Sequence, residues 1–294
     1  MIWLIAGSIV IVAFALIVGV SIFVGWRLTH PKRKPLEEGP ADYGLAPRQI
    51  IFPSRLGDVR LDGWFFEAVH KPQNMTIIMS HGYAGNRLEM GLPALSLTQC
   101  LVEAGYHVLM FDFRNSGLSE GTTTTIGYLE QQDVLGAVDW VKTQVASRIV
   151  LLGFSMGGSA SLLAAAKEEA VLGVITDSAF SQLHPYLKEN LPVWSGLPRF
   201  PFTPLILTFL PRLVGINPHA VDGLAAVDRI APRPVLFIHS HDDPAIPSSN
   251  SIQMYDRHPA HFELWTTTGA GHVGSYRLYA EAYVKRLLNF LSKF

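Results

Sequence analysis

The pentapeptide Gly153-Phe154-Ser155-Met156-Gly157 decides how the rest of the chain is interpreted. Four apolar residues precede it and predict a buried strand, and the small residues that follow it predict a helix. A serine on a tight strand-to-helix turn, with glycine two positions before and after it, is typical of a nucleophile elbow. A side chain at either glycine would collide with the neighbouring strand or helix. The serine hydroxyl is thereby held at a helix N-terminus, where the helix dipole favours a developing negative charge.

The bulk composition indicates a membrane anchor near the N-terminus. The chain has 294 residues, of which 49% are hydrophobic and 16% charged, and its mean hydropathy is +0.25. Residues 2–26 contain no charged side chain, and about 20 apolar residues suffice to cross a bilayer as a helix. A cleaved signal peptide is the alternative, but no basic segment precedes the run and no small-residue cleavage site follows it. We therefore expect an uncleaved transmembrane anchor over residues 1–27, so that the membrane is one partner of this chain.

The charges that flank this span predict its orientation. Only Met1 precedes the apolar run, whereas four basic residues follow it closely: Arg27, Lys32, Arg33 and Lys34. By the positive-inside rule, the remainder of the chain then faces the cytoplasm, as in a single-pass protein of the cell membrane. Residues 28–47 are polar and rich in proline, which is typical of a juxtamembrane linker.

Several classes of function have no support in the composition. A net charge of −1 and a sequence pI of about 6.8 do not favour nucleic-acid binding. The chain has no G-x-G-x-x-G in a βαβ context, no C-x-x-C and no H-E-x-x-H, so we expect neither an organic cofactor nor a metal ion. Cys100 is the only cysteine, so no disulfide can form within the chain.

Residues 48–294 have the size and pattern of one α/β domain. Residues 49–53 and 59–66 alternate as an antiparallel hairpin does. Beyond them, strands and helices alternate, which predicts a mostly parallel sheet with helices on both faces and a ligand site beyond the carboxyl ends of its strands. The predicted strands are 76–80, 107–111, 149–152, 171–176, 235–239 and 262–266, and the predicted helices are 92–104, 128–143, about 158–166 and 275–291.

Residues 178–232 interrupt this alternation. They are rich in proline and aromatic residues, and the segment is too long for a simple connection and too apolar for a disordered one. We expect a lid of short helices above the active site, with additional core packing as the alternative.

A serine hydroxyl needs a base, and the base needs an acid that holds its tautomer. His272 lies in a glycine-rich turn directly after strand 262–266, where its imidazole would reach the carboxyl edge of the sheet. His239 and His241 flank another strand end and remain alternatives. We expect His107, which opens a strand, to be structural.

The acid is expected directly after strand 235–239. Asp242 and Asp243 both lie there, and the Asp-x-x-Ile-Pro pattern favours Asp243, with Asp242 as a turn residue. Asp177, at the end of the strand before the lid, is the second alternative. The order Ser155, Asp243, His272 is the nucleophile–acid–base order of this kind of fold.

The tetrahedral intermediate needs two N–H donors, each worth about 3–4 kcal/mol. The backbone N–H of Met156, just after the nucleophile, is one candidate for this oxyanion hole. The other is the N–H of Tyr83, in the turn His81-Gly82-Tyr83 that follows strand 76–80. We expect His81 to hold that turn in place.

The chain resembles an α/β-hydrolase in several motifs taken together. These are the His81-Gly82-Tyr83 turn, the segment 112–119, the elbow and the turns that follow the last two predicted strands. It is similar to single-pass, membrane-anchored bacterial hydrolases near the monoglyceride lipases and serine aminopeptidases. The resemblance implies the same roles for Ser155, Asp243 and His272. Asn115 departs from the pattern, because many relatives have glycine there.

The expected activity is hydrolysis of a carboxylic ester with a hydrophobic acyl group, such as a lipid or another small-molecule ester, through an acyl-enzyme. A peptidase or amidase would use the same residues, but an aminopeptidase would need an acidic group in the lid, and between residues 182 and 221 only Glu189 is acidic. A non-catalytic scaffold is disfavoured because all three members of the triad are present. A haloalkane dehalogenase is disfavoured because that chemistry uses aspartate where this chain has Ser155.

Overall fold

An eight-stranded sheet forms the centre of the chain in a computed structural model that describes residues 1–69 and 72–294. The strand order is β1-β2-β4-β3-β5-β6-β7-β8. Strands β1 and β2 pair antiparallel, β2 is antiparallel to β4, and all remaining neighbours are parallel. The strands are β1 (Arg48–Pro53), β2 (Arg60–Phe66), β3 (Met75–Ser80), β4 (His107–Phe111), β5 (Arg148–Phe154), β6 (Val171–Asp177), β7 (Val235–Ser240) and β8 (Phe262–Thr267).

Helices cover both faces of this sheet, because each face carries its own cluster of buried apolar side chains. The predicted fold, a mostly parallel sheet with helices on both sides, is confirmed. Helices α2 and α10 pack on one face, and α3, α4 and α7 pack on the other. The helices are α1 (Ile2–Thr29), α2 (Ala94–Glu103), α3 (Glu130–Gln144), α4 (Met156–Ala165), α5 (Leu183–Ser195), α6 (Arg199–Val214), α7 (Gly223–Ile230), α8 (Ser249–Tyr255), α9 (Ser275–Leu278) and α10 (Ala280–Leu291).

The insertion between β6 and β7 is helical, as expected, but its parts have different positions. Helix α5 packs through Tyr186 on Phe180 and the Ala245 carbonyl, in the loops after β6 and β7, and α6 packs between α5 and the N-terminal helix α1. Helix α7 packs on α4 and belongs to the layer that covers the sheet, so of the segment predicted as a lid only α5 and α6 lie outside that layer. The predicted last helix is broken at Tyr279, whose backbone leaves the helical region (φ −127°, ψ 43°) while its hydroxyl donates to the Thr268 carbonyl.

Helix α1 is long and apolar enough to cross a membrane. Its first part is exposed, whereas the small residues Ser21, Gly25 and Thr29, four positions apart, are buried. A Cβ added at Gly25 would lie 3.4 Å from Leu213 of α6, so the last turns of α1 pack directly on the lid.

The turn after β4 shows why asparagine replaces glycine at position 115. Asn115 has a φ of +56°, in the left-handed region that asparagine tolerates better than other residues with a Cβ. Its N–H donates to the Glu120 carbonyl, and the neighbouring Asp112 accepts from the N–H groups of Arg87 and Leu118. The segment is a scaffold for the adjacent loops.

Candidate active site

Ser155 lies on the sharp turn between β5 and α4. Its φ of +53° and ψ of −120° are strained for a residue with a side chain, and its N–H donates to the Asp177 carbonyl at 2.8 Å. A Cβ on Gly157 would lie 2.2 Å from the Ser80 carbonyl oxygen, and one on Gly153 would lie 2.4 Å from the Gly157 carbonyl oxygen. The turn therefore requires both glycines, for the steric reason inferred from the sequence.

His272 reaches this serine from the loop after β8. Its Nε2 atom lies 2.9 Å from Ser155 Oγ. The loop is held in place at the next residue, Val273, whose N–H donates to Ser178 Oγ at 3.1 Å. Val273 has a φ of +55°, a rare conformation for a β-branched residue, so the loop is constrained beside the histidine.

Asp243, rather than its neighbour Asp242, contacts the histidine. Asp243 Oδ2 lies 2.7 Å from His272 Nδ1, and Oδ1 accepts from the N–H groups of Ala245 and Ile246 at 2.8 and 2.9 Å. Asp242 is exposed and accepts from the N–H of Gly269 at 2.8 Å. The two neighbouring carboxylates therefore have different environments, and the one that contacts the histidine is Asp243, which the Asp-x-x-Ile-Pro pattern favours.

The charges of this pair support each other. Burial alone would raise the pKa of Asp243, but hydrogen bonds from His239 and His272 hold that pKa well below its usual range. Burial would lower the pKa of His272, but Asp243 raises it above its ordinary value, with smaller contributions from the Glu89 and Asp177 carboxylates. Asp243 thus stays ionised, and the imidazole takes up a proton more readily than a free one.

His239 is near the site but does not contact the serine. Its Nε2 lies 3.3 Å from Asp243 Oδ2 and 2.8 Å from the Ile246 carbonyl oxygen, and Nδ1 lies 2.7 Å from Ser251 Oγ. The ring is fully buried. The sequence indicated a histidine at this strand end, but nothing in it showed that the ring would hold Asp243 in place.

Asp177, the second alternative acid, is fully buried beneath the elbow. It accepts from the hydroxyls of Ser178 and Tyr283 at 3.0 and 3.1 Å. Burial raises its pKa to about 6. Since its hydrogen bonds are to hydroxyls, Asp177 belongs to the support of the site rather than to the Ser155–His272–Asp243 chain.

The two candidate oxyanion donors flank the serine. Met156 N–H is the first of α4 and therefore has no intrahelical acceptor, and Tyr83 N–H has no backbone acceptor in the described part of the chain. The Tyr83 loop is fixed by His81, whose Nε2 accepts from the Phe113 N–H at 3.0 Å.

Glu89 also fixes this loop, and the sequence carried no sign of it. Its carboxylate accepts from the N–H of Gly82 at 2.5 Å and from the N–H of Gly91 at 3.2 Å. Glu89 itself has a φ of +40° and is buried. The carboxylate thereby ties together the two loops that border the serine.

A cavity of about 400 Å³ opens beside Ser155 and His272. Its walls are mainly apolar, which suits a hydrophobic ligand. The apolar and aromatic lining residues are Tyr83, Met90, Ile126, Met156, Phe180, Tyr186, Trp194, Ala245, Ile246 and Val273. Among the described residues, no cluster of three or more His, Cys, Asp or Glu side chains has a metal-binding arrangement.

Comparisons with known proteins identify the family and the fold. The family model described as alpha/beta hydrolase fold matches residues 76–213. The chain is similar to the uncharacterised protein YqkD of Bacillus subtilis, with 31% identity over 82% of this chain and 78% of YqkD. It is also similar to the lysophosphatidylserine lipase ABHD12 of Danio rerio, with 27% identity over 66% of this chain and 50% of that protein.

Solved structures show the same fold. The esterase Pf2001 of Pyrococcus furiosus superposes with a TM-score of 0.74 at 24% identity, over 91% of this chain and 98% of that one. The sheet order, the strained serine turn and the matching family model all indicate the same group. The chain therefore belongs to the α/β-hydrolase family and is a hydrolase.

Proposed function

We propose that this hydrolase cleaves carboxylic esters through an acyl-enzyme, with Ser155 as nucleophile, His272 as base and Asp243 as acid. The observation that carries the proposal is the pair of contacts that link the three side chains, 2.9 Å from Ser155 Oγ to His272 Nε2 and 2.7 Å from His272 Nδ1 to Asp243 Oδ2. This is the geometry in which a base can take the serine proton while its other nitrogen is held by a carboxylate.

The reaction has two stages, acylation and deacylation, and in each of them His272 first accepts a proton and then donates it. Ser155 Oγ attacks the ester carbonyl carbon while its proton passes to His272 Nε2, and that proton then goes to the oxygen of the leaving alcohol. Water next gives a proton to Nε2 and attacks the acyl carbonyl, after which the proton returns to Ser155 Oγ. The ionised Asp243 stabilises the imidazolium that forms in both stages.

The carbonyl oxygen gains negative charge in each tetrahedral intermediate. We assign its stabilisation to the N–H groups of Tyr83 and Met156, which flank Ser155. Preorganised backbone donors of this kind contribute about 3–4 kcal/mol each. The Glu89 and His81 contacts to the adjacent loop keep the Tyr83 donor in position.

The apolar cavity favours a hydrophobic acyl group. Its volume of about 400 Å³ lies in the lower part of the usual range for small-molecule sites. The names of similar proteins, an esterase and a lysophosphatidylserine lipase, also favour an ester of this kind.

A peptidase of the aminopeptidase type is less well supported. It needs a free carboxylate for the substrate ammonium, but Glu189 is exposed and does not line the cavity. Glu89 does line the cavity, but both of its oxygens already accept backbone hydrogen bonds.

Matched substrates separate the two activities. We expect the full-length enzyme in detergent to hydrolyse p-nitrophenyl esters from acetyl to palmitoyl, with the highest kcat/KM at an intermediate chain length set by the cavity. The p-nitroanilides of the same acids control for acyl recognition and should react far more slowly. Faster hydrolysis of the anilides would favour the amidase.

We further propose that α1 spans the cell membrane with the catalytic part on the cytoplasmic side. Trp3 and Trp26 lie near the two ends of the helix and are both exposed, as aromatic residues at the two membrane interfaces are. Arg27 and the basic residues of the following segment lie at the end next to the catalytic part, which supports this orientation.

The pH dependence follows from the raised pKa of His272. The imidazole accepts the serine proton only when it is neutral, so kcat/KM is full above this pKa and is lost as the pH falls through it. We expect the acid limb of kcat/KM to have its midpoint above 6.5, the ordinary histidine value. Initial rates with p-nitrophenyl butyrate between pH 5 and 9 measure it. A midpoint below 6.5 would contradict the proposed coupling to Asp243.

A further inference from the structure

The segment that follows α1 is attached to the catalytic domain, in contrast to the free linker that its composition predicts. Five groups of the domain hold the backbone or a side chain of residues 28–35. Tyr83 hydroxyl donates to the Leu28 carbonyl at 2.7 Å, Thr124 N–H donates to the Thr29 carbonyl at 2.7 Å, Asn86 Nδ2 donates to the Pro35 carbonyl at 2.8 Å, and the Arg33 guanidinium donates to the carbonyls of Ser119 and, at 2.6 Å, Gly121.

The same segment borders the active site. Lys34 lines the cavity that contains Ser155 and His272, and its Nζ lies 2.6 Å from the Met90 sulfur on the opposite loop. Tyr83 also lines the cavity and is bonded through its hydroxyl to the end of α1. The active-site cavity is therefore directly adjacent to the end of the apolar helix.

The length of the free part of α1 shows where a bilayer would lie. Residues 2–20 precede the first buried residue, Ser21, and 19 helical residues rise about 28 Å. The hydrocarbon core of a bilayer is about 30 Å thick. The exposed part of α1 is therefore just long enough to cross the hydrocarbon core before α1 begins to pack on α6. The lid and the cavity then lie at the membrane surface.

The rim of the cavity has the surface expected for such a position. Met90 and Trp194 line the cavity and are 61% and 43% exposed, and Val193, next to Trp194 in α5, is 75% exposed. Exposed apolar side chains beside a binding cavity mark an interaction surface. Lys34, which lines the cavity, supplies positive charge toward anionic lipid headgroups.

We propose that the cavity opens onto the membrane leaflet that faces the catalytic domain, and that the substrate is an amphiphilic ester taken from that leaflet rather than from water. This inference rests on the proposed esterase function. Lys34 lines the site and its neighbours Arg33 and Pro35 are bonded to the domain, so the anchor both holds the enzyme at the membrane and positions the cavity against it.

The source of the substrate is tested with the full-length enzyme in phosphatidylcholine vesicles that also contain a long-chain monoacylglycerol. In a second sample the same amount of ester is placed in separate, enzyme-free vesicles. We expect the early rate to follow the mole fraction of ester in the enzyme's own bilayer and to be at least about tenfold lower with separate vesicles. Equal rates in the two samples would overturn the proposal.

The role of the attached segment is tested with Arg33→Ala and its charge-matched control Lys32→Ala. Arg33 bonds to the domain, whereas Lys32 is exposed and has no contact among the described hydrogen bonds and ion pairs. We expect Arg33→Ala to lower the ratio of bilayer-ester to p-nitrophenyl butyrate hydrolysis roughly five- to tenfold, because a charge-assisted attachment is lost. Lys32→Ala should keep the ratio. The same ratio in both variants would contradict the role of the segment.

The p-nitrophenyl butyrate reaction separates this proposal from the esterase assignment. Turnover of this soluble ester that survives in Ser155→Ala would reject the proposed function itself. Ser155-dependent turnover of the soluble ester, together with equal rates on shared and separate vesicles, would reject only the membrane entry.

Discussion

Ser155→Ala lowers kcat for ester hydrolysis by about 10⁶-fold, the loss seen when the nucleophile of a serine hydrolase triad is removed. The remaining groups still bind the ester and polarise its carbonyl, but no oxygen is left at 2.9 Å from His272 Nε2 to form the acyl-enzyme. The measurement is the rate of p-nitrophenyl butyrate hydrolysis at pH 8, with circular dichroism to show that the fold is kept.

Ser161→Ala is the matched control for this variant. Ser161 lies in α4, and its buried hydroxyl has no hydrogen-bond partner among the described residues. Its removal should leave kcat within about twofold of the wild type, since no interaction is broken. If Ser155→Ala instead kept its turnover, Ser155 would not be the nucleophile.

Asp243→Asn lowers kcat by about 10⁴-fold, the effect of the same change in a serine protease. Oδ1 of Asp243 accepts two backbone N–H groups, so the amide oxygen of asparagine takes that position and its NH₂ group faces His272 Nδ1. The NH₂ group can only donate, which forces the imidazole proton onto Nε2. The histidine then cannot accept the serine proton.

Asp242→Asn controls for the loss of a carboxylate in the same turn. Asp242 is exposed and contacts Ser240 and Gly269 rather than the histidine. We expect its activity to change by no more than about twofold, as for most surface substitutions. The measurement is the rate of each variant on the same ester, which shows whether Asp243→Asn or Asp242→Asn loses more activity. A greater loss in Asp242→Asn would show that the acid is misassigned.

The elbow and the strands could be predicted because they depend on local sequence. Apolar runs of four to six residues predict buried strands, and the two glycines around Ser155 report a backbone approach that only glycine permits. The mostly parallel sheet and its helices followed from the alternation of these elements. The site residues were chosen by the strand ends that they follow, a rule that holds for any sheet of this kind.

The remaining features depend on contacts between distant parts of the chain. Arg33 donates to backbone carbonyls that are more than 80 residues away in the sequence. Because every residue has a carbonyl, the pattern of side chains does not indicate these partners. Glu89 holds Gly82 and Gly91 through backbone N–H groups, which is equally invisible in sequence. Helix α8 was not predicted because only two of its seven residues, Ser251 and Met254, are buried, too few to give a periodic apolar face.

Covalent labelling tests most directly whether Ser155 is an activated nucleophile. The full-length enzyme is treated with a fluorophosphonate, and its intact mass and modified peptide are determined by mass spectrometry. We predict one adduct per chain on Ser155, protection from labelling by a hydrolysable ester, and no adduct in Ser155→Ala. An adduct on another residue, or equal labelling of Ser155→Ala, would contradict the account.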